Sequence, residues 1–133
     1  IDKLTGFFFL LIKLLFPDLK GKPKIQKEIS MNMVANILGL GNAATPLGLK
    51  AVKSMQEENK QKDRLTDSMA MFIVINTASI QLIPTTVIAI RNSLGSDKPT
   101  AIIFPVWIAT ICAAIAGITV VKILINLTNK EKK

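Results

Sequence analysis

Histidine and tyrosine are absent from this chain of 133 residues, and cysteine occurs once, as Cys112. Without histidine, the chain lacks the usual general acid or base near neutral pH, the usual activator of serine and cysteine nucleophiles, and the commonest metal ligand. A single cysteine forms no internal disulfide and no multi-thiol metal site, and its apolar neighbours predict a buried small side chain. The sequence therefore predicts no enzyme activity and neither a cofactor nor a metal site.

Charged residues are missing from three long stretches, 29–49, 69–90 and 101–121. Lysine and arginine outnumber aspartate and glutamate by 17 to 9, and the formal net charge is +8. The basic residues bracket the apolar stretches and form no basic helix face with interleaved aromatics, so we expect contact with a lipid bilayer and no nucleic-acid binding. The acidic residues lie in loops or near the ends of stretches, which leaves no carboxylate pair within the membrane for acid–base chemistry. With half of its residues hydrophobic and a mean hydropathy of +0.42, the chain is predicted to be an integral, polytopic protein of the cell membrane.

Residues 1–28 form a separate region in this interpretation. Phe7–Phe16 is apolar apart from Lys13, but it is too short to cross a bilayer. A helix would gather four of its apolar residues on one face, namely Phe8, Leu11, Ile12 and Leu15. The segment is therefore expected to be an interfacial helix or the end of a missing span, and Pro17–Asp18 ends it before a lysine-rich loop that runs to Glu28.

The uncharged stretch 29–49 is interrupted at its centre by the sequence GLGNAATPLG, which begins at Gly39. Either Gly39 or Gly41 can supply the left-handed residue that ends a first helix. Thr45–Pro46 predicts the start of a second helix, with an N-cap followed by proline in the first turn. We therefore expect two half-helices, Ile29–Leu38 and Pro46–Met55. The distribution of basic residues favours a re-entrant hairpin over a crossing segment, because the hairpin places most of them on one side of the membrane.

The second uncharged stretch, Met69–Ile90, is long enough to cross a bilayer. It also carries polar residues in its middle, and Pro84 is expected to kink it. The third, Ala101–Leu127, predicts the last span, near the end of which Lys122 can reach the membrane surface. The predicted fold class is thus all-α: a polytopic membrane protein with a re-entrant helical hairpin and two full transmembrane helices.

The polar residues of the two interrupted stretches are the candidate site. Amides and hydroxyls are costly in lipid unless they face protein, water or a ligand. The hairpin tip contributes Asn36, Gly39, Gly41, Asn42, Thr45 and Pro46, and the second stretch contributes Asn76, Ser79, Gln81, Pro84 and Thr85. Such groups suit a small polar solute or a weakly coordinated ion, and pairs of interrupted apolar segments are typical of transporter binding sites. The alternative is that these groups only join helices to one another.

Three motifs carry a resemblance to a known family. MVANILGLGNAATPLGLKA from Met33 to Ala51, NTASIQLIPTTVIAIR from Asn76 to Arg91, and LFPD from Leu15 to Asp18 resemble the spore maturation protein A family of endospore-forming bacteria. The resemblance implies a gate domain, also called a nucleoside-recognition domain, over residues 29–133. It also implies an integral membrane protein of sporulation, linked to dehydration of the spore core, and a companion called spore maturation protein B.

The sequence and the resemblance together lead to two hypotheses. In the first, the gate domain recognises or moves a small polar solute or ion. In the second, the chain is a non-transporting assembly factor, whose polar residues form an interface with the companion protein or with a second copy of the chain.

Overall fold

The computed structural model describes residues 10–131, and all regular structure in this range is helical. The all-α fold class is therefore confirmed. Residues 10–15 are helical (α1), and short 3-10 turns lie at Pro17–Leu19 and Pro99–Ile102. The longer helices are α2 (Pro23–Ile37), α3 (Gly41–Glu58), α4 (Asp67–Ala78), α5 (Thr85–Ser93) and α6 (Ile103–Glu131).

Helices α2 and α3 form the predicted hairpin, with only residues 38–40 between them. At its open end, the ammonium group of Lys22 lies 3.1 Å from the Glu58 carboxylate. Nearer the tip, the Asn32 amide donates a hydrogen bond of 2.8 Å to the Ala44 carbonyl. The two arms therefore run antiparallel along their whole length, and both extend beyond the half-helices expected from the sequence.

The prediction that the second arm begins at Thr45–Pro46 is wrong. The amides of Ala43 and Ala44 both donate to the Leu40 carbonyl, so α3 is already helical from Gly41. Thr45 is not an N-cap, and its hydroxyl donates to the Gly41 carbonyl at 3.3 Å. Pro46 lies in the second turn, where its missing N–H costs one helical hydrogen bond. The helix nevertheless continues through Pro46 to Glu58, and it packs against α2.

The predicted span Met69–Ile90 is not one continuous helix. Helix α4 ends at Ala78, Ser79 has the left-handed φ of 47°, and α5 begins only at Thr85. In this break, the Leu82 amide donates to the Ile37 carbonyl at 2.8 Å, and the Trp107 indole donates to the Leu82 carbonyl at 2.8 Å. Bonds to neighbouring helices replace the helical bonds, so the segment departs from a helix further than a proline kink would require.

Helix α6 matches the predicted last span. Together with the preceding turn it forms a segment of 32 residues, Pro99–Lys130, whose most apolar 18-residue stretch has a mean hydropathy of 2.4. Within residues 10–131 this is the one helix long and apolar enough to cross a membrane, and α4 is a shorter apolar helix. Cys112 on α6 is exposed, so its predicted burial is wrong. The reason is that α6 packs along α4 on one face and leaves its other faces uncovered.

A core of apolar side chains joins the helices at the end of the molecule where the hairpin opens. Ile12 and Phe16 are fully buried, and the Phe16 and Phe72 rings lie 6.4 Å apart. The face predicted for the first segment is thus largely directed into this core, whereas Phe8 lies outside the described residues. The remaining buried members come from every long helix except α5, and include Ile25, Ile29, Met33, Ala51, Met55, Met69, Ile75 and Val121.

Candidate polar cleft

The hairpin tip is closed by a Schellman motif centred on Gly39. The Gly39 amide donates to the Asn36 carbonyl at 2.9 Å, and the Leu40 amide donates to the Ala35 carbonyl at 2.8 Å. Gly39 has a φ of +71°, a conformation that glycine adopts without steric cost. Of the two glycines proposed for this role, Gly39 is therefore the left-handed residue, and Gly41 is the first residue of α3.

The tip lies directly against the break between α4 and α5. The Thr85 hydroxyl donates to the Gly39 carbonyl at 2.9 Å. The Ile83 carbonyl lies so close to the Gly39 α-carbon that a β-carbon there would collide with it. Together with the bond from Leu82 to Ile37, these contacts bring the two interrupted stretches into one site.

Three asparagine side chains form a chain of hydrogen bonds beneath the tip. The Asn36 amide nitrogen donates to the Asn76 side-chain oxygen at 2.9 Å and to the Asn32 side-chain oxygen at 3.3 Å. The Asn76 amide in turn donates to the Phe72 carbonyl at 2.9 Å. These bonds join the hairpin to α4, and Asn32 is only 1% exposed. This group of Asn32, Asn36 and Asn76 is called the asparagine network below.

A glycine on α3 makes room for the network. A β-carbon at Gly48 would lie 2.9 Å from the Asn32 amide nitrogen, closer than real side chains approach. Because Asn32 also bonds to the Ala44 carbonyl, two positions one turn apart on α3 hold this amide. The small residue is therefore needed for the close packing of α2 against α3 at this level.

An open cleft of about 440 Å³ lies between the hairpin and α4. The asparagine network forms part of its wall, and no charged side chain among residues 10–131 lines it. A second cavity of about 330 Å³ is lined by apolar side chains and by the same three asparagines. The network therefore lies between an uncharged polar cleft and an apolar cavity. The other residues of the polar cleft are Gly41, Ala44, Thr45, Gly48, Leu49, Val52, Phe72, Ile73, Thr77, Ser79 and Gln81.

The eleven residues proposed from the sequence fall into three groups. Asn36, Gly41, Thr45, Asn76, Ser79 and Gln81 line the polar cleft. Gly39, Pro84 and Thr85 lie where the tip meets the break, Pro84 being buried there as the residue before α5. Asn42 and Pro46 are exposed and do not line this cleft. Their side chains lie on other sides of α3, which begins one turn earlier than predicted.

The site predicted from the sequence lacks two residues that the structure places at its centre. Asn32 lies four residues before Asn36, a spacing that puts both side chains on one helix face and that is visible in the sequence. Gly48 gives no such signal, since its role depends on which part of α2 it meets. Both line the cleft.

The cleft can make hydrogen bonds to a ligand but offers no charge. Both amide hydrogens of Asn36 are used within the network, so its oxygen is the atom left for a ligand. Gln81 likewise donates to Ser79 at 3.3 Å and keeps its carbonyl oxygen. Within residues 10–131, no three histidine, cysteine or acidic side chains come together to hold a metal ion. The arrangement suits a neutral polar molecule better than an ion.

The described residues thus form an all-helical protein in which a helical hairpin docks against a broken apolar helix, with the asparagine network at the junction. Over 109 residues, or 82% of its length, the chain is 43% identical to spore maturation protein A of Bacillus subtilis (strain 168). The chain belongs to the spore maturation protein A family. It spans 56% of the length of that relative. No family model and no solved structure matches the chain.

Proposed function

We propose that the chain is an integral membrane protein of sporulation, in which the hairpin re-enters the membrane beside α6. Family membership supports the role in sporulation. Support for the membrane comes from α6, whose exposed side chains are large and apolar along its length, among them Phe104, Ile108, Ile111, Ile115, Leu124 and Leu127. Side chains of this kind are stable in lipid and costly in water.

The ion pair between Lys22 and Glu58 supports the re-entrant arrangement, because it holds both ends of the hairpin on one side. The tip is at the level of Trp107, through the bonds that join Trp107, Leu82 and Ile37. At 1.5 Å per residue, Trp107 is roughly 12 Å inside the Pro99 end of the apolar segment. The hairpin therefore passes the middle of the membrane and places the cleft in its interior.

This topology can be tested by labelling single cysteines in intact cells, in a Cys112→Ala background. Lys22→Cys and Lys60→Cys should react from the same side of the membrane, and Ser96→Cys, in the turn after α5, from the other side. Labelling of positions 22 and 60 from opposite sides would exclude the hairpin.

In this proposal, the uncharged cleft recognises a small neutral polar molecule and the asparagine network acts as a gate. The observation that carries the proposal is the hydrogen bond from Asn36 to Asn76, which joins the hairpin to the broken helix and separates the two cavities. A ligand that bonds to these amides would compete with this bond and connect the cavities. The role proposed is binding or passage of a solute, without enzymatic chemistry.

Flux through proteoliposomes tests the gate, with the full-length protein alone and with its companion. Neutral polar solutes such as nucleosides are the first probes, and cations are the comparison. Asn36→Ala should change solute flux by on the order of tenfold, since one hydrogen bond contributes about 1 kcal/mol or more. Asn42→Ala, at the exposed tip, is the matched control and should leave flux unchanged. Absence of flux for every solute in every pairing would refute a transport role.

A second candidate is a non-transporting assembly factor that pairs with a companion membrane protein or with a second copy of the chain. The observation in its favour is that the open side of the cleft carries the exposed side chains Leu49 and Ile73, which a partner helix would cover. Under this proposal, Leu49→Gln should reduce co-purification with the partner, whereas Asn36→Ala should not. If the chain instead transports a solute through a gate, Asn36→Ala should change solute flux and Leu49→Gln should not.

A further inference from the structure

Two backbone carbonyls fix the orientation of the asparagine network. A side-chain amide has a donor nitrogen and an acceptor oxygen, whereas a backbone carbonyl can only accept. The Asn32 nitrogen donates to the Ala44 carbonyl at 2.8 Å. The Asn76 nitrogen donates to the Phe72 carbonyl at 2.9 Å. Reversing either amide would set oxygen against oxygen, so both side chains present their oxygens to Asn36.

Asn36 is thereby held with its own oxygen directed away from the network. Its nitrogen donates to the side-chain oxygens of Asn32 and Asn76, and the reverse orientation would lose both bonds and bring three oxygens together. The Asn36 oxygen accepts no hydrogen bond from the described residues, and it is not one of the polar atoms sealed from the surface. An accessible acceptor of fixed direction therefore remains where Asn36 lines the cleft.

The neighbouring polar side chains of the cleft add further acceptors. The hydroxyls of Thr45 and Thr77 donate to carbonyls of their own helices, at 3.3 and 2.9 Å, so their oxygens can only accept from a ligand. Gln81 donates a single bond, to the Ser79 hydroxyl, and so keeps one amide hydrogen as well as its oxygen. A ligand that carries both a donor and an acceptor can therefore be satisfied in the cleft, whereas a ligand without a donor leaves Asn36 unpaired.

We propose that the Asn36 oxygen makes the cleft selective for neutral molecules that carry at least one N–H or O–H donor, such as primary amides and polyols. This inference rests on the proposed function, in which the cleft recognises a neutral polar solute, and it names the chemistry that is recognised. A ligand with a donor replaces water at Asn36. An acceptor-only ligand of the same size displaces that water and gives the oxygen no partner, and a site of this kind rejects the analogue that lacks the donor.

Two pairs of isomers provide the probes, since the members of a pair have the same atomic composition and differ in their donors. Butyramide has N–H donors and N,N-dimethylacetamide has none; butanediol has O–H donors and dimethoxyethane has none. Binding to the full-length protein in detergent is followed by nuclear magnetic resonance of isotope-labelled asparagine side chains. The donor isomer of each pair should bind about tenfold more tightly, the factor expected for one or two net hydrogen bonds.

The ratio of the two affinities separates recognition by Asn36 from a structural role. Asn36→Leu removes the oxygen at similar side-chain size and should reduce the ratio to about twofold or less. Asn42→Leu makes the same change at an exposed position outside the cleft and should leave the ratio unchanged. If Asn36 only joined the helices, Asn36→Leu would weaken both isomers equally. Gln81→Met, outside the network, should lower the ratio by about twofold, and it provides the test if Asn36→Leu does not fold.

The possible failures of this experiment are distinguishable. Equal binding of the two isomers, or tighter binding of the acceptor-only isomer, would overturn the inference and leave recognition of a neutral solute standing. A full donor preference retained in Asn36→Leu would overturn the role of Asn36. Absence of saturable binding for all four probes would refute solute recognition by the cleft, and the inference with it.

Discussion

The close approach at the hairpin tip predicts that Gly39→Ala is among the most destabilising alanine substitutions in the chain. An alanine there has to adopt a φ near +71°, and its β-carbon meets the Ile83 carbonyl. The collision is with backbone, so no side-chain rotation relieves it. Either the tip or the break between α4 and α5 has to move.

The magnitude follows from the contacts that this movement breaks. The left-handed conformation costs an alanine about 1–2 kcal/mol. Moving Ile83 away from Gly39 strains the bond from Leu82 to Ile37 and the bond from Thr85 to Gly39, each of which contributes about 1 kcal/mol. We therefore expect Gly39→Ala to lower the free energy of unfolding by about 3–4 kcal/mol.

Two other glycines separate the cost of the left-handed conformation from the cost of the collision with Ile83. Gly21 has a φ of +86°, but a β-carbon added there would have no atom within 4 Å, so Gly21→Ala should cost only about 1–2 kcal/mol. Gly41 lies in a helix with the same open surroundings, so Gly41→Ala should be neutral or stabilising by up to about 1 kcal/mol. Equilibrium unfolding in mixed micelles, followed by circular dichroism, measures all three. If Gly39→Ala costs no more than Gly21→Ala, the contact between tip and break is refuted.

Three further substitutions test the helix contacts by the same unfolding measurement. Asn76→Ala removes the acceptor for Asn36 and should lower the free energy of unfolding by about 1–3 kcal/mol. A decrease no greater than that caused by an alanine substitution at an exposed residue would contradict the asparagine network. Gly117→Ala places a β-carbon 2.7 Å from the Val74 side chain and should cost about 1–3 kcal/mol. Adding Val74→Ala should recover part of that loss, and strict additivity of the two changes would count against the contact. Trp107→Phe keeps an aromatic ring but removes the donor to Leu82 and should cost about 1 kcal/mol, so an unchanged stability would show that this bond contributes nothing.

The sequence predicts those parts of the fold that depend on the residues of one short segment, such as its length, its composition and the positions of its glycines. The helix of the third uncharged stretch follows from its length and composition. The hairpin follows from glycines between two apolar arms, and Gly39 carries the left-handed conformation that such a closure requires. The juxtaposition of Asn36 and Asn76 is also expected, because polar groups in two apolar stretches have few other partners.

The errors arise where contacts between distant segments outweigh local preference. Thr45–Pro46 has the pattern of a helix start, yet the Schellman closure at Gly39 lets α3 begin four residues before Thr45. The break after Ala78 depends on Ile37 and Trp107 bonding to Leu82, which no local pattern encodes. The lysine-rich sequence predicts a loop as far as Glu28, but Glu28 lies in α2 with 6% exposure. Its carboxylate is 3.8 Å from the Lys50 ammonium on α3, a contact that only the folded hairpin creates.

The peptide unit of Leu82 has a mechanical consequence. Its N–H is bonded to the hairpin at Ile37, and its C=O is bonded to α6 at Trp107. Sliding of α6 against the hairpin would therefore pull on one of these two bonds, so the tip, the break and the first turns of α6 are coupled as a rigid unit. Helix α4, in contrast, is attached to the hairpin at this level by side-chain amides, and it ends at Ala78, just before the left-handed Ser79.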